Sequence, residues 1–268
     1  ANVINNSGSK GSSLIRNGGV DNASTLTING GTFEQQNFIA VKNDSNGELT
    51  INGGTLTSKQ SVVQNWNKAK ILGGNLTGGY LWTDSWTEEG SVGETVIGGN
   101  AQFTGTIYMD VTGPNPSTLK IEGGNLDVAK WTVTSAAAAV DATIAVSGGT
   151  FTAAVPENYC AAGYAPTPNA DGTYGVERAV TVNFDSNQGT AVESQLVIVG
   201  DKVVKPVDPT KEGYTFSGWF TDKDCTNAYD FDTVVDGTEP AFTLYAGWKI
   251  AESSPATPGA GDNSSANG

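Results

Sequence analysis

Two short segments carry most of the residues able to do chemistry. Tyr80-Leu81-Trp82-Thr83-Asp84 and Thr106-Ile107-Tyr108-Met109-Asp110 each place rings two residues from a carboxylate. Alternate side chains of an extended strand leave on opposite faces. With Leu81, Ile107 and Met109 turned inward, Tyr80, Trp82, Asp84, Tyr108 and Asp110 face out, and Trp131 extends the row one turn further along. Trp66 and Trp86 stand nearby in loops. Rings beside carboxylates suit sugars, because ring faces take the C–H side of a pyranose while carboxylates accept its hydroxyl hydrogens. The same rings could instead pack along the rod as cross-strand pairs do. An extra residue after the glycine pair of the second of these turns leaves the pairing of Asp84 with Asp110 open to a slip of one. Such a slip would turn one of them to the other face.

If the two aspartates lie on neighbouring turns, about 5 Å apart, they also match the spacing of a retaining glycosidase pair. The rest of the composition argues against a catalyst. The chain has no His, which excludes any His-dependent mechanism and leaves Cys160 and Cys225 without an activating base. Its only arginines, Arg16 and Arg178, lie near domain ends, whereas a polysaccharide lyase of solenoid architecture needs a base and usually a calcium site at mid-rod. No GGxGxD spacing occurs, and Asp44, Glu48, Glu88, Glu89 and Glu94 form no recognisable calcium loop. Asp222, Asp224, Asp230 and Asp232 read as turn residues. No catalytic residue, metal or cofactor is expected.

A recurring glycine pair positions these residues. Gly30-Gly31, Gly53-Gly54, Gly73-Gly74, Gly98-Gly99, Gly123-Gly124 and Gly148-Gly149 follow one another at steps of 23, 20, 25, 25 and 25 residues (53−30, 73−53, 98−73, 123−98, 148−123). A period this short means stacked small units. Two residues before each pair stand Ile28, Ile51, Ile71, Val96, Ile121 and Val146; three after its first glycine stand Phe33, Leu56, Leu76, Ala101, Leu126 and Phe151. Both apolar columns should point inward on either side of a glycine corner. Thr32, Thr55, Asn75, Asn100, Asn125 and Thr150, just after the pair, should hydrogen-bond from copy to copy. The segments alternate with period two and are rich in Thr, Val and Ile, so the expected fold is an all-β solenoid, a parallel β-helix. Parallel crossovers make it right-handed. At about 4.8 Å per coil, six coils give a rod of roughly 25–30 Å.

Thirty-five glycines, one Met and a net charge of −14 suit an acidic, turn-rich chain. No basic patch invites nucleic acid, and no apolar run is long enough to cross a membrane. The chain opens in polar repeat-like sequence at Asn2, Asn5 and Asn6 with no signal peptide, which reads as a piece of a longer protein.

The expected organisation is a β-helix over 1–157, a capping hairpin and connector over 158–178, a small β domain with an aromatic core over 179–250, and a flexible linker over 251–268. An even Cys count in a secreted chain invites a disulfide, but two separate, buried thiols is the reading preferred here.

The segments VNFDSNQGTAVESQ, KPVDPTKEGYTFSGWFTDKDCTNAYDF and TLYAGW follow in order within 180–250. They resemble the Listeria–Bacteroides repeat, the B-repeat family of internalins. That resemblance implies a small β-grasp-like fold, tandem occurrence on bacterial surface proteins, display at the cell wall, and no catalytic residues. Trp219, Tyr214, Phe216, Tyr245 and Trp248 match its aromatic positions and are expected to form the core. The NGGTF repeat with the later YCAAGY and DGTY segments is similar to β-helical surface proteins of gut Firmicutes. No LPxTG-type motif is visible.

The functional expectation is a non-enzymatic fragment of a bacterial cell-surface protein, secreted and adhesin-like, presenting glycans or a mucin-type host surface with the row Tyr80, Trp82, Asp84, Tyr108, Asp110 and Trp131. Neighbouring domains of a larger surface protein are the other expected partners, with no nucleic acid and no membrane insertion. The rivals are a passive spacer in a wall protein and a polysaccharide lyase or glycoside hydrolase.

Overall fold

The computed structural model describes residues 2–5, 13–135 and 140–251, so the expected linker lies, but for its first residue, outside the described residues. The chain divides into Ala1–Val180 and Thr181–Gly268. The first unit carries a parallel β-solenoid of about six turns over 15–151.

Three faces make up the solenoid. On the first, Ser24–Ile28 pairs with 47–51, then 68–71, Glu94–Ile97, 117–121 and 142–146. On the second, Asn2–Asn5 and Thr32–Gln35 lead to 55–58, 75–77, 102–104, 125–128 and 150–151. On the third, Ile15–Asn17 and Val41–Asn43 lead to 63–65, 81–85, 107–111 and 131–133. Period-two alternation gives each rung its inward side chains. The corner between the first two faces needs glycine for a concrete reason: Gly74 has φ +92, and a Cβ there would stand 3.0 Å from the Gly54 carbonyl oxygen.

The core is three apolar columns. Ile28, Ile51, Ile71, Ile97, Ile121 and Val146 line the first face, and Phe33, Leu56, Leu76, Phe103, Leu126 and Phe151 the second, all buried. Val41, Val63, Leu81 and Ile107 line the third. Each such side chain contributes about 1.5–3 kcal/mol of burial.

The fourth coil corrects the expected phase. Ile97 holds the ladder position, not Val96, and Phe103 pairs with Leu76 where Ala101 was expected. The fourth coil takes five steps from Ile97 to Gln102 (102−97), where the third takes four from Ile71 to Asn75 (75−71). Ala101 spends the additional residue in the corner, buried, its N–H donating to the Gly98 carbonyl at 3.3 Å. The excess is returned at the next corner. Thr77 to Tyr80 takes three steps (80−77), and the paired Thr104 to Thr106 only two (106−104).

The polar column after the glycine pair runs Thr32, Thr55, Asn75, Gln102, Asn125, Thr150, with Asn100 displaced by the same insertion. It faces outward: Thr55, Asn75, Gln102 and Asn125 are exposed. The copy-to-copy ladder lies instead inside the third face. Asn17 donates to Asn43 at 2.7 Å, and Asn43 to Asn65 at 2.8 Å. Asn65 donates to Thr95 at 2.9 Å, whose hydroxyl shares a 2.6 Å bond with that of Thr83.

Past Phe151, a 3-10 turn at Glu157–Tyr159 leads to a hairpin of Tyr164–Pro168 on 174–178. Tyr159, Cys160, Tyr164, Tyr174 and the buried Val176 pack on the end of the solenoid core. The hairpin is a lid over that edge.

The second unit is a mixed sheet ordered Gln195–Ile198, 181–185, Ala241–Ile250, Tyr214–Phe220. The 181–185 strand runs parallel to its neighbour 241–245, and Tyr214–Phe220 runs antiparallel. Trp219 is its centre, with edge contacts to Phe184 at 4.9 Å and Phe216 at 5.5 Å. The indole N–H of Trp248 donates to the Ser186 carbonyl at 2.9 Å. Tyr214 departs from the expected core: it stands exposed on an outer strand, with the Lys211 ammonium 4.7 Å from its ring centre. Both thiols are free. Burial pushes each above its ordinary pKa, with help from Glu157 beside Cys160 and from Asp222 and Asp224 beside Cys225.

Candidate functional site

The middle residue of each third-face rung points outward, and register stacks these residues in one column: Arg16, Lys42, Gln64, Trp82, Tyr108, Thr132. Trp82 meets Tyr108 edge-on at 5.3 Å, and Tyr80 meets it at 5.6 Å. The rings therefore touch one another and still present surface, with Tyr80 exposed and the other two half-buried. Thr134 donates a 3.4 Å bond to the Tyr108 hydroxyl.

The remaining sugar-row residues sit elsewhere. Asp84 and Asp110 are in register, so the feared slip does not occur, yet Asp84 is fully buried. Its carboxylate accepts the Thr112 N–H and the Thr112 hydroxyl, both at 3.0 Å, and so fastens the following turn. Asp110 accepts the N–H of Val111 at 2.8 Å. Trp131 is the clearest correction. A bulge between Val128 and Lys130 puts it in register with the inward Ile107, so it joins the core end instead of the outer row. A one-residue slip reverses the face of a side chain. Its ring lies 5.4 Å from Tyr159 and 6.5 Å from Phe151.

Burial raises the Asp84 carboxyl above its ordinary 3.8, Asp110 raises it further, and the two Thr112 bonds pull it back. Because the folded pKa exceeds the unfolded one, this group's stabilising contribution is full below 3.8 and is lost as pH rises through the folded value. Asp84→Asn should therefore lose ground against the parent protein as pH falls from 7 towards 3.8. Parallel thermal melts measure the difference; a pH-independent gap would contradict the assignment.

The groove extends from the N-terminal half of the column. An open cleft of about 710 Å³ is lined by Arg16, Lys42, Gln64 and Trp82 of the column, by Trp66 and Trp86 on one flank, and by Phe38, Ile39 and Gln60 among others. Trp66 and Trp86 stack nearly parallel, 4.7 Å apart and 8° from coplanar. Lys42 sets its ammonium 3.6 Å from the Trp66 ring centre, a cation–π contact. The indole N–H groups of Trp66 and Trp82 are buried and have no hydrogen-bond partner among the described residues. Packing fixes these rings, with the Lys42 cation–π contact added at Trp66.

Beneath them lies Asp44, fully buried. It takes the Lys42 ammonium at 2.9 Å and the Arg16 Nε–H on its other oxygen. Two cations thus share one carboxylate. Arg16 keeps 62% of its side-chain surface exposed, and its Nε–H makes the side chain's one hydrogen bond among the described residues. Sequence reasoning put Arg16 at a domain end and missed this column. The available signal was the repeated pair Arg16-Asn17, Lys42-Asn43, Gln64-Asn65, whose asparagine turns in while its predecessor turns out.

Residues 181–247 match the Listeria-Bacteroides repeat domain, the kind of domain found in bacterial surface proteins. Two proteins of Evansella cellulosilytica are similar over part of the chain. One, named as a Gly-rich membrane protein, is 43% identical over 70 residues, 26% of this chain and 8% of its own length. The other, named as a membrane protein, is 40% identical over 72 residues, 27% of this chain and 10% of its own length. The chain thus spans a tenth or less of the curated relatives it matches. Among the described residues, no helix is long and apolar enough to cross a membrane.

Proposed function

We propose that this chain is part of a bacterial cell-wall surface protein whose solenoid binds glycans, without catalysis, in the third-face groove. One observation carries the reading: Trp66, Trp82 and Trp86 converge on one open cleft beside the amides of Gln60 and Gln64. Fixed ring faces cover the C–H side of a sugar, and amides exchange hydrogen bonds with its hydroxyls, the usual composition of a small-molecule site. Burial of Asp84 against Thr112 supports a binding role over a hydrolytic pair, since a general acid or base must reach its substrate. The spacer reading draws on the mutual contacts of Tyr80, Trp82 and Tyr108, which would satisfy those rings with no ligand.

A glycan and mucin array, run with calcium and again with chelator, tests the proposal. Specific capture, equal in both lanes, is the expected result, because the groove offers no set of carboxylates to a cation. A blank array leaves the spacer. Chain cleavage on the array would restore the enzyme.

A further inference from the structure

We infer that the groove takes an acidic glycan, with its carboxylate or sulfate at Arg16 and its sugar rings on the half-buried Trp82 and Trp86. This rests on the glycan reading above and names its ligand class. The column is chemically polar: Arg16 and Lys42 occupy its first two rungs, the amide of Gln64 the third, and the rings of Trp82 and Tyr108 the next two. A neutral oligosaccharide would use only the second half.

The charge is local. The chain carries 28 acidic against 14 basic residues, yet the described charged residues lining this cleft are Arg16 and Lys42. Asp44 beneath them cancels one positive charge and leaves the other. It also holds Arg16 by Nε, so the two terminal nitrogens of the guanidinium are unengaged among the described residues. That planar fork matches a carboxylate or sulfate in two parallel hydrogen bonds. Lys42 is already committed to Asp44 and to the Trp66 ring. Its part is to hold charge close by.

Distance fits an oligosaccharide. Arg16 to Trp82 is three rungs, roughly 14 Å at about 4.8 Å each. A single sugar cannot reach both ends. Polyanions are disfavoured by the net charge of −14, whereas a ligand with one acid group and apolar ring faces uses the whole column.

The experiment compares lactose with 3′-sialyllactose, and lactose with 3′-sulfolactose, on the full chain by calorimetry at low and physiological salt. The readout is the acidic-to-neutral affinity ratio. We expect a ratio of at least about 10, shrinking with salt. In Arg16→Gln the ratio should fall towards one. In Arg16→Lys, which keeps charge and loses the fork, it should take an intermediate value. Lys120→Gln, on the first face, should leave it unchanged. Thermal melts establish that each variant folds; if Arg16→Gln does not, Arg16→Lys carries the test. Equal binding of both members of each pair overturns the acidic ligand and spares the glycan reading. No binding of either overturns both.

Discussion

Asn43→Leu is expected to destabilise the solenoid by roughly 3–6 kcal/mol, a large share of the total stability of a typical domain. Asn43 is fully buried. Its amide nitrogen lies within hydrogen-bond distance of the Gly47 carbonyl at 3.0 Å, the Lys68 carbonyl at 3.0 Å and the Asn65 side chain at 2.8 Å. Its oxygen accepts from Asn17 at 2.7 Å. Leucine is of similar size and supplies none of these bonds. Each buried group left without a partner costs about 1–3 kcal/mol, and the neighbouring amides lose their links at the same stroke. Asn43→Asp sharpens the test. A carboxylate would face carbonyl oxygens, burial would raise its pKa, and the variant should regain stability as pH falls. Urea unfolding at pH 7 and pH 4.5 measures both variants. A leucine variant as stable as the parent would show that the ladder is incidental.

The second large effect is a pair of opposite outcomes. Trp131→Ala should cost about 2–3 kcal/mol, somewhat under the range for fully buried aromatics because the ring is only half covered. Glycan capture should survive it. Trp82→Ala should lower capture by roughly 100-fold, as loss of a central ring does at a binding hot spot. Its fold should lose the edge contact with Tyr108, about 0.5–1.5 kcal/mol, together with the burial of a half-covered ring. The melt should therefore fall about as far as that of Trp131→Ala, while only this variant loses capture. Both variants need one melting curve and one binding isotherm. If Trp131→Ala abolished capture while melting like the parent, the ring would have to lie on the outer face after all.

The contrast between these tryptophans shows what a reader of the chain can and cannot see. The Gly-Gly phase announces coils, corners and inward columns because each coil must solve the same steric problem at the same place. Six coils, the parallel stack and the Listeria-Bacteroides repeat all follow from local motifs. Phase within a coil is different. Val96 and Ile97 are equally apolar, and only the pairing with Ile71 decides which of them turns inward. The residue inserted before Gln102 and the one missing beside Gly105 cancel, so counting along the chain cannot reveal either. Ala129, at the bulge that reverses Trp131, carries no turn signal. The groove was hidden for another reason. Its column changes chemistry at every rung, from Arg16 through Gln64 to Tyr108, and a search for repetition passes over it. Its constant element is the asparagine behind the first three members.

The cancelling pair of corner changes has a wider consequence. Between the third and fourth coils the offset is 27 residues on the second face, as from Asn75 to Gln102 (102−75). On the third it is back to 26, as from Trp82 to Tyr108 (108−82). One side of the rod has therefore accepted a length change that the next side never registers. Corners act as expansion joints. Insertions and deletions can accumulate at them while the groove stays aligned, and the column can trade one side chain for another without waiting on the rest of the coil. This separates the part of the coil that must keep its geometry from the part that is free to vary. A designer could use the same joints, lengthening the groove by whole coils or adding loops at the Ala101 corner without disturbing the Trp82 rung.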